Sequence, residues 1–384
     1  MQVIEVAAQW YGEEASTPGP VEYVEFESPY CEAYDERVIA PATDADFQSA
    51  YFSRVAASAD GLWSRRVARV RDALVFGQAC VIYLPRSKGY LAGHGINWSP
   101  ARLTQAVRDN RLERPEDFTV LEEAILLHGP GIHVYGHWIL DYVSRLLSIR
   151  RLEQKTGARR DILIKNMPGW ALAFIEAAGL GNRVVRYDKS DYVMVKSLWV
   201  PVIGKNGLTL CTHQLRESFG FLRECHAEGV PQDGPRPRKL VLLRRHSPRV
   251  KNQEEIETFF TRRGFSPFYP EDHSLAEQIA YFETARFIAG EDGSALHNVG
   301  FCRAGARVLI WSRGPRNNFW HASVAMAAEA QITYLKTAGN DRDYHFDLDA
   351  CAEAIEAFLA PSVEEKRDTD AKRPDVLRES PGLL

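Results

Sequence analysis

The chain has 384 residues, of which 45% are apolar, 26% charged and 11% aromatic, which is typical of a globular protein with material for two cores. A net charge of −4 gives no sign of bulk nucleic-acid binding, and the six scattered cysteines, without a C-x-x-C pair, argue against a disulfide framework or a zinc site. The N-terminal residues do not resemble a signal peptide, and no window approaches the ~18 apolar residues of a membrane span. We therefore expect a cytoplasmic protein whose contact with any membrane is peripheral.

Strand-like and helix-like segments alternate from residue 137 onward, whereas the residues before it show less order. Residues 1–120 contain short apolar runs that look like strands, such as 79–84. Residues 137–156 have apolar side chains at helical spacing and end before Gly157, which favours a helix with a polar stripe along its other side. A strand at 161–165, a helix at 170–178 and a strand from 183 follow. This alternation predicts an α/β fold.

A break at 229–238 divides the chain, because three prolines and two glycines in ten residues are typical of a linker. Beyond it strands and helices alternate regularly, and Ser274 with Glu277 forms a capping-box pattern. The predicted strands are 240–243, 287–289 and 307–311, and the predicted helices are 253–263, one from Ser274, 317–330 and 352–359. We predict an N-terminal α/β domain at 1–228, a doubly wound domain at 239–345, a helix within 346–360 that packs back, and a disordered tail at 361–384.

The first candidate site is the pair His137 and Asp141. Four residues apart, they share one face of the predicted helix, in its first turn beside the positive end of the helix dipole. A carboxylate is favoured as the anion there and can orient or charge the imidazole, which suits removal of a proton from a hydroxyl. The same spacing also fits a surface or helix-capping pair, and no third ligand for a metal is evident.

The second candidate site is the basic segment 244–252, which directly follows a predicted buried strand and precedes a helix. Ligands of doubly wound sheets lie at the carboxyl ends of strands. Arg244 and Arg249 could clamp a phosphate there through bidentate contacts. A solvated basic loop is the competing interpretation.

The third candidate site is the turn 289–298, which also leaves a predicted strand. Gly293 and Ser294 would let backbone N–H groups approach an anion at a helix start. The turn matches neither G-x-G-x-x-G nor a P-loop nor G-x-S-x-G, so a dinucleotide fingerprint and a serine hydrolase are not supported. A tight structural turn is the competing explanation.

In combination, the three segments resemble glycosyltransferase family 61, once grouped as a domain of unknown function with capsular-polysaccharide biosynthesis proteins. The resemblance covers about residues 120–312 and is most specific over 274–301. The first motif is matched by His137 and Asp141, while Val134 stands where the family often has Asn. The second motif is matched by Arg244, Arg249, Asn252 and Glu254. The third motif is matched by Gly290, Gly293, Leu296 and Asn298, while Asp292 replaces the usual His.

The resemblance implies a GT-B-like architecture, in which two Rossmann-like domains face each other across a cleft and the C-terminal helix returns toward the N-terminal domain. It implies an inverting glycosyltransferase that moves a sugar from a nucleotide-sugar donor to a hydroxyl of a glycan or lipid-linked glycan, in surface polysaccharide or glycan biosynthesis. We expect a UDP-sugar donor, no cofactor and no metal; Asp341 and Asp343 are interpreted as part of a turn rather than a metal bridge.

The same resemblance assigns roles to individual residues. His137 and Asp141 would supply the base for the acceptor hydroxyl. The donor and its phosphates would lie at Arg244, Arg249, Asn252, Gly293, Ser294 and Asn298, with Glu277 and Asp292 as further donor-side candidates. Two other functions remain open on these residues: a nucleotide-sugar epimerase or hydrolase on the same scaffold, and a catalytically silent protein that binds a glycan or nucleotide.

Overall fold

The computed structural model describes residues 2–5, 21–26, 30–31, 36–58, 62–63, 65–77, 80–86, 89–92, 118–128, 131–188, 191–202, 205–206, 209–227, 236–246, 250–313, 318–337 and 344–360. Most of the predicted linker, the predicted tail, Arg249 and residues 341–343 lie outside these ranges. Across the described ranges, no helix combines the length and the apolar character needed to span a bilayer.

A mixed sheet forms the centre of the N-terminal half. Its strand order is β1-β7-β6-β5-β11-β8-β9-β10, and β2 also pairs with β5. The strands are β1 (Gln2–Glu5), β2 (Val21–Glu25), β5 (Arg66–Phe76), β6 (Val81–Leu84), β7 (Gly89–Ala92), β8 (Thr119–Leu126), β9 (Asp161–Lys165), β10 (Val184–Tyr187) and β11 (Tyr192–Val202). Two further pairs are β3 (Tyr30–Cys31) with β4 (Leu62–Trp63), and β12 (Lys205–Asn206) with β13 (Thr209–Leu210). The strands predicted at 79–84 and 161–165 correspond to β6 and β9.

A second, separate sheet of five parallel strands forms the C-terminal half, in the order β15-β14-β16-β17-β18. Its strands are β14 (Lys239–Leu242), β15 (Ser266–Phe268), β16 (Phe287–Glu291), β17 (Arg307–Arg313) and β18 (Gln331–Thr337). Parallel strands flanked by helices confirm the predicted α/β class. They also bring all five carboxyl ends to one edge of the sheet, where ligands of such sheets bind.

Nine α-helices lie in the described ranges, and most match the predicted ones within a few residues. They are α1 (Ala45–Ser58), α2 (Tyr135–His137), α3 (Val143–Thr156), α4 (Gly169–Ala177), α5 (Thr212–His226), α6 (Gln253–Thr261), α7 (Leu275–Thr284), α8 (Trp320–Ala327) and α9 (Ala352–Leu359). The predicted capping box is confirmed: Ser274 Oγ accepts from the Glu277 N–H, while the Glu277 carboxylate accepts from the Ser274 N–H at 2.8 Å. Reciprocal capping satisfies two N–H groups at the start of α7.

The helix of the first motif is continuous from α2 to α3 through a π-helical turn at Trp138–Tyr142. It ends at Gly157, whose φ of +67° lies in the left-handed region that favours glycine. The predicted polar stripe is buried rather than solvated: the Arg65 guanidinium donates to Ser144 Oγ at 3.1 Å and to Ser148 Oγ at 3.2 Å. Arg65 also pairs with Glu217 of α5 at 3.0 Å. The helix is therefore enclosed by protein, and buried hydrogen bonds satisfy its polar side.

The two halves share a hydrophobic core. One cluster joins Leu146 and Ile164 of the N-terminal half with Leu240 and Ile288 of the C-terminal sheet. The N-terminal segment also reaches the far edge of that sheet, where the Phe47 ring of α1 stacks on Tyr334 of β18 with centroids 4.0 Å apart.

The expected return of the C-terminal helix to the N-terminal half is not observed. Helix α9 packs on the five-stranded sheet, where Phe358 contacts Phe287 at a centroid distance of 5.7 Å. Arg307 of β17 donates to the Ala357 carbonyl at 2.7 Å. The apolar side of α9, with Ile355 and Phe358, completes the core cluster of its own half instead.

Candidate active site

A cavity of about 890 Å³ opens where helix α2 meets the carboxyl edge of the five-stranded sheet. His137 lines it from the N-terminal half. Arg244, which follows β14, and Asp292, Gly293 and Ser294, which follow β16, line it from the C-terminal half. The three motifs singled out from the sequence therefore meet at one cavity.

His137 and Asp141 form a hydrogen-bonded pair in the wall of this cavity. The distance from His137 Nδ1 to Asp141 Oδ2 is 2.6 Å, and the side chains are 20% and 1% exposed. The imidazole lies against Gly131, where a Cβ would be 2.1 Å from His137 Cδ2 and where φ is +59°, so both space and backbone conformation require glycine. Asp141 is buried behind the imidazole and is not among the cavity-lining residues. It can orient His137, whereas His137 is the member of the pair that can meet a ligand.

Arg244 is held at the cavity by contacts on both its backbone and its side chain. The Gln253 amide accepts from the Arg244 N–H and donates to its carbonyl, both at 3.0 Å. The guanidinium Nε lies 3.2 Å from the Glu291 carboxylate. It also passes so close to Gly293 that a Cβ there would be 2.6 Å from Arg244 Nη2. Gly293 thus lets a cation lie directly over the turn that begins the next helix.

The helical turn Ser294–Phe301, a 3₁₀ helix, begins beside this guanidinium and faces α2. The two approach closely at Gly136, where a Cβ would be 2.7 Å from His297 Nδ1 and 2.8 Å from Ser294 Oγ. Any larger residue at position 136 would push the first and third motifs apart. Glycine at this position therefore sets the width of the cavity at its floor.

Asp292 lines the cavity but is committed to a hydrogen-bond network. Its carboxylate accepts from Tyr334 Oη at 2.6 Å and Asn318 Nδ2 at 3.0 Å, and it lies 2.9 Å from His321 Nε2. Burial alone would raise the pKa of Asp292, yet the His321 charge and these hydrogen bonds hold it well below its ordinary value of 3.8. Asp292 is therefore a fixed anion at neutral pH.

Comparison with known proteins identifies the class of this site. The family model described as Glycosyltransferase 61 matches residues 135–309, which include all three motifs. These residues belong to glycosyltransferase family 61. The resemblance predicted from the motifs is confirmed, and glycosyl transfer is the activity class of the family.

Other comparisons add little to this assignment. No curated protein matches the sequence significantly. Among solved structures, E. coli heptosyltransferase WaaC with ADP matches at 9% identity, covering 62% of this chain and 100% of that chain with a TM-score of 0.29. A TM-score this low supports no conclusion about fold or ligand.

Two further residues of the family 61 pattern, Asn298 and Asn252, and the donor-side candidate Glu277 have side chains engaged within the protein. Asn298 is buried, accepts from Tyr135 Oη at 2.9 Å and donates to Gln278 Oε1 at 2.7 Å. Asn252 holds the backbone of Phe346 through its N–H and its carbonyl. Glu277 caps α7. Their roles in donor binding stay predictions, as does that of Arg249, which lies outside the described residues.

Three residues at the site were given no role by the sequence analysis. Tyr135 hydrogen-bonds to Asn298 from the opposite half, and burial raises the pKa of its hydroxyl well above the ordinary value. His297 is 5% exposed and lies in the cavity wall, and burial, followed by the nearby His321, holds its pKa well below the ordinary 6.5. His321 places an imidazole against position 292, where the family usually has its own histidine. Partners this far apart in sequence could be found only from the fold.

The arrangement combines two chemical capacities in one cavity. One wall presents an imidazole backed by a carboxylate, which suits acceptance of a proton. The other presents a guanidinium beside a helix start, which suits an anion. Within the ranges that the structure describes, no three His, Cys, Asp or Glu side chains converge as a metal site.

Proposed function

We propose that this chain is an inverting glycosyltransferase that moves a sugar from a nucleotide-sugar donor to an acceptor hydroxyl. The observation that carries the proposal is the shared cavity, which His137 lines from one half and Arg244 with the Ser294 turn from the other. A single displacement needs a base on the acceptor side and a cationic site for the departing diphosphate on the other. Membership of family 61 supports the transfer chemistry.

His137 is the proposed base, with Asp141 as its positioning partner. Asp141 accepts the hydrogen bond at His137 Nδ1, which leaves the lone pair on Nε2 to receive the proton of the acceptor hydroxyl. Asp141 also stabilises the imidazolium that results, because its carboxylate lies 2.6 Å away. This assignment refines the sequence-based expectation, which left either residue as the base.

Arg244 and the N–H groups at the start of Ser294–Phe301 form the proposed leaving-group site. As the acceptor oxygen bonds to the anomeric carbon, the bond from that carbon to the phosphate oxygen breaks and its electron pair leaves on the diphosphate. The Arg244 guanidinium and the helix start both favour that negative charge. Glu291 partly neutralises Arg244 in the free protein, so we expect the diphosphate to compete for the same guanidinium.

The finer parts of the proposal concern substrates, metal and location. We propose a GT-B-like arrangement of the two halves, a UDP-sugar donor, a glycan or lipid-linked glycan acceptor, and a role in surface polysaccharide or glycan biosynthesis. We also propose catalysis without a metal, since a guanidinium and a helix start can balance the diphosphate charge. We also propose a cytoplasmic location, because the six cysteines are scattered along the chain without a C-x-x-C pair.

The test is donor turnover with and without acceptor. Purified protein is incubated with a panel of UDP-sugars and candidate glycans, and release of UDP and formation of glycoside are measured in the presence of EDTA. Transfer that depends on acceptor supports the proposal. Acceptor-independent turnover would identify the epimerase or hydrolase alternative, and binding without turnover would identify a silent binding protein.

Two variants and a control test the proposed base. His137→Ala should lower transfer by about 10²–10⁴-fold, the contribution of a positioned base, while UDP affinity stays nearly constant. Asp141→Asn should lower it less, because the histidine keeps its place but loses its charged partner. The control is His213→Ala, which removes an exposed histidine of α5 outside the cavity lining and should retain transfer. If His137→Ala retains transfer, His137 is not the base.

A further inference from the structure

The acceptor side of the cavity carries exposed apolar surface. In the described part of the chain, the large hydrophobic side chains that are most exposed are Val120, Val134 and Trp170, at 56%, 44% and 43%. Val134 and Trp170 both line the cavity, whereas Val120 does not. A single exposed apolar residue needs no explanation, but two at the mouth of a cavity indicate a ligand surface.

Trp170 is held in place by an aromatic cluster. It is the second residue of α4, whose buried residues Ala171 and Phe174 pack inward. The indole contacts the rings of Tyr135, Trp138 and Phe174 at centroid distances of 6.1, 6.2 and 6.5 Å and interplanar angles of 54°, 77° and 74°. These three contacts hold the indole in place. Because Trp170 is still 43% exposed and lines the cavity, a ligand group can pack on an indole whose position is already fixed.

The position of Trp170 relates it to the acceptor rather than to the donor. Its ring neighbour Tyr135 lies two residues before His137 on the same helix, and Val134 is next to Tyr135. The proposed phosphate-binding groups, Arg244 and the Ser294 turn, belong to the opposite half. An acceptor hydroxyl must come within hydrogen-bond distance of His137. The rest of the acceptor must then rest on the surface beside it.

The chemistry of this surface fits a sugar ring. A pyranose has a face of C–H groups and a rim of hydroxyls, so it needs a flat apolar surface beside polar groups. The cavity supplies Trp170 and Val134 next to the imidazoles of His133 and His137. A long alkyl chain would require a continuous apolar lining, which these imidazoles interrupt. Small-molecule sites commonly combine such aromatic walls with a few placed polar groups.

We propose that Trp170, with Val134 as a second exposed apolar residue of the cavity, is the acceptor platform, on which the C–H face of a pyranose ring stacks while one hydroxyl reaches His137. This inference rests on the proposed glycosyltransferase function and specifies its acceptor as a carbohydrate ring. The transferred sugar then joins a hydroxyl of the stacked residue or of its neighbour along the glycan.

Ligand-detected NMR tests the platform directly. The probes are the methyl pyranosides of glucose, galactose, mannose, N-acetylglucosamine and xylose, each with the full-length protein saturated with UDP. At least one probe should receive saturation at its ring C–H protons, and Trp170→Ala should abolish this. Trp170→Phe should retain part of it because an aromatic face remains. The matched control is Val120→Ser, an exposed apolar residue away from the cavity, which should leave the signal unchanged.

Binding and kinetics complete the test. Where an acceptor supports transfer, Trp170→Ala should raise its KM by about tenfold with kcat nearly unchanged, since a stacking contact of this kind is lost. UDP affinity, measured by calorimetry, should not change. The platform is refuted if no pyranoside contacts the wild type, or if Trp170→Ala keeps both the pyranoside contact and the wild-type KM. It is also refuted if Trp170→Ala weakens UDP binding, because the indole would then contact the nucleobase.

Failure of the platform and failure of the proposed function give different results. Transfer with an unchanged acceptor KM in Trp170→Ala would refute the platform and keep the glycosyltransferase. Pyranoside binding that depends on Trp170, without turnover of any donor, would keep Trp170 as a sugar-binding surface and refute the transfer activity.

Discussion

Replacing Gly293 by alanine should weaken nucleotide binding through Arg244. The new Cβ would lie 2.6 Å from Arg244 Nη2, whereas ordinary contacts of this kind are about 3.5 Å, so the guanidinium must move by about 1 Å. A shift of that size takes a hydrogen bond of about 2.8 Å beyond its useful range. Loss of one charge-assisted hydrogen bond costs about 1.5–3 kcal/mol, which corresponds to a roughly 10- to 150-fold rise in the Kd for UDP. The backbone at Gly293 is extended, with φ 177°, so alanine fits it without strain.

Calorimetry with UDP on Gly293→Ala, Arg244→Ala and the double variant tests this mechanism. The alternative is that the alanine weakens the contacts of the turn itself with the nucleotide, without acting through Arg244. If alanine acts by displacing the guanidinium, the double variant should bind about as weakly as Arg244→Ala alone, because both changes remove one interaction. Gly220→Ala is the matched control, since a Cβ there meets nothing within 4 Å. Wild-type affinity in Gly293→Ala, or fully additive losses in the double variant, would refute the reasoning.

Three further predictions concern the His137–Asp141 pair, the buried His297, and the contact between Tyr135 and Asn298. Asp141→Asn should lower kcat, because the carboxylate acts through the imidazole. For the same reason, the double variant Asp141→Asn with His137→Ala should be no slower than His137→Ala alone. Stopped assays of transfer measure both rates. His297 has a lowered pKa in the folded protein, so the unfolded chain binds more protons below pH 6.5. The free energy of unfolding should therefore fall with decreasing pH by up to ~1.4 kcal/mol per pH unit, and urea titrations of His297→Asn should show a smaller slope. Tyr135→Phe leaves the Asn298 oxygen without the hydroxyl 2.9 Å away and should cost about 1–3 kcal/mol in urea denaturation; an unchanged midpoint would contradict this.

Local signals in the sequence were sufficient to predict the helices and strands around the site. The capping box at Ser274 and the stop at Gly157 act within a few residues, so their patterns predict the helix boundaries directly. The parallel strands follow from buried apolar runs such as 240–243. The proximity of Arg244 to Gly293 also follows, because both come directly after neighbouring strands of one sheet.

The rest of the site depends on contacts between distant parts of the chain. The spacing of His137 and Asp141 predicts that they touch, but only the packed helix shows that Asp141 lies behind the imidazole. The sequence shows only that Asp292 replaces the usual histidine and could face the donor, whereas the fold brings His321 and Tyr334 against it. Trp170 stands in the mostly apolar helix α4, where periodicity does not separate a buried side from an exposed one, so its exposure at the cavity could not be inferred from the sequence. The destination of α9 was predicted wrongly because its apolar side fits either half.

The π-helical turn at Trp138–Tyr142 makes the direction of His137 depend on chain length as well as on side chains. A π-helical turn holds one residue more than the α-helical turn it replaces, so a chain one residue shorter here would continue as a regular α-helix with the flanking side chains in nearly the same directions. The buried side chains of α3, such as Leu146 and Ile149, would hold the following part of the helix in place. One residue lost from the regular helix α3 would instead rotate His137 by about 100°, the turn per residue of an α-helix, and so away from the cavity. A single codon deletion would therefore be tolerated in the π-helical turn and would disable the site when it falls in the helix that follows.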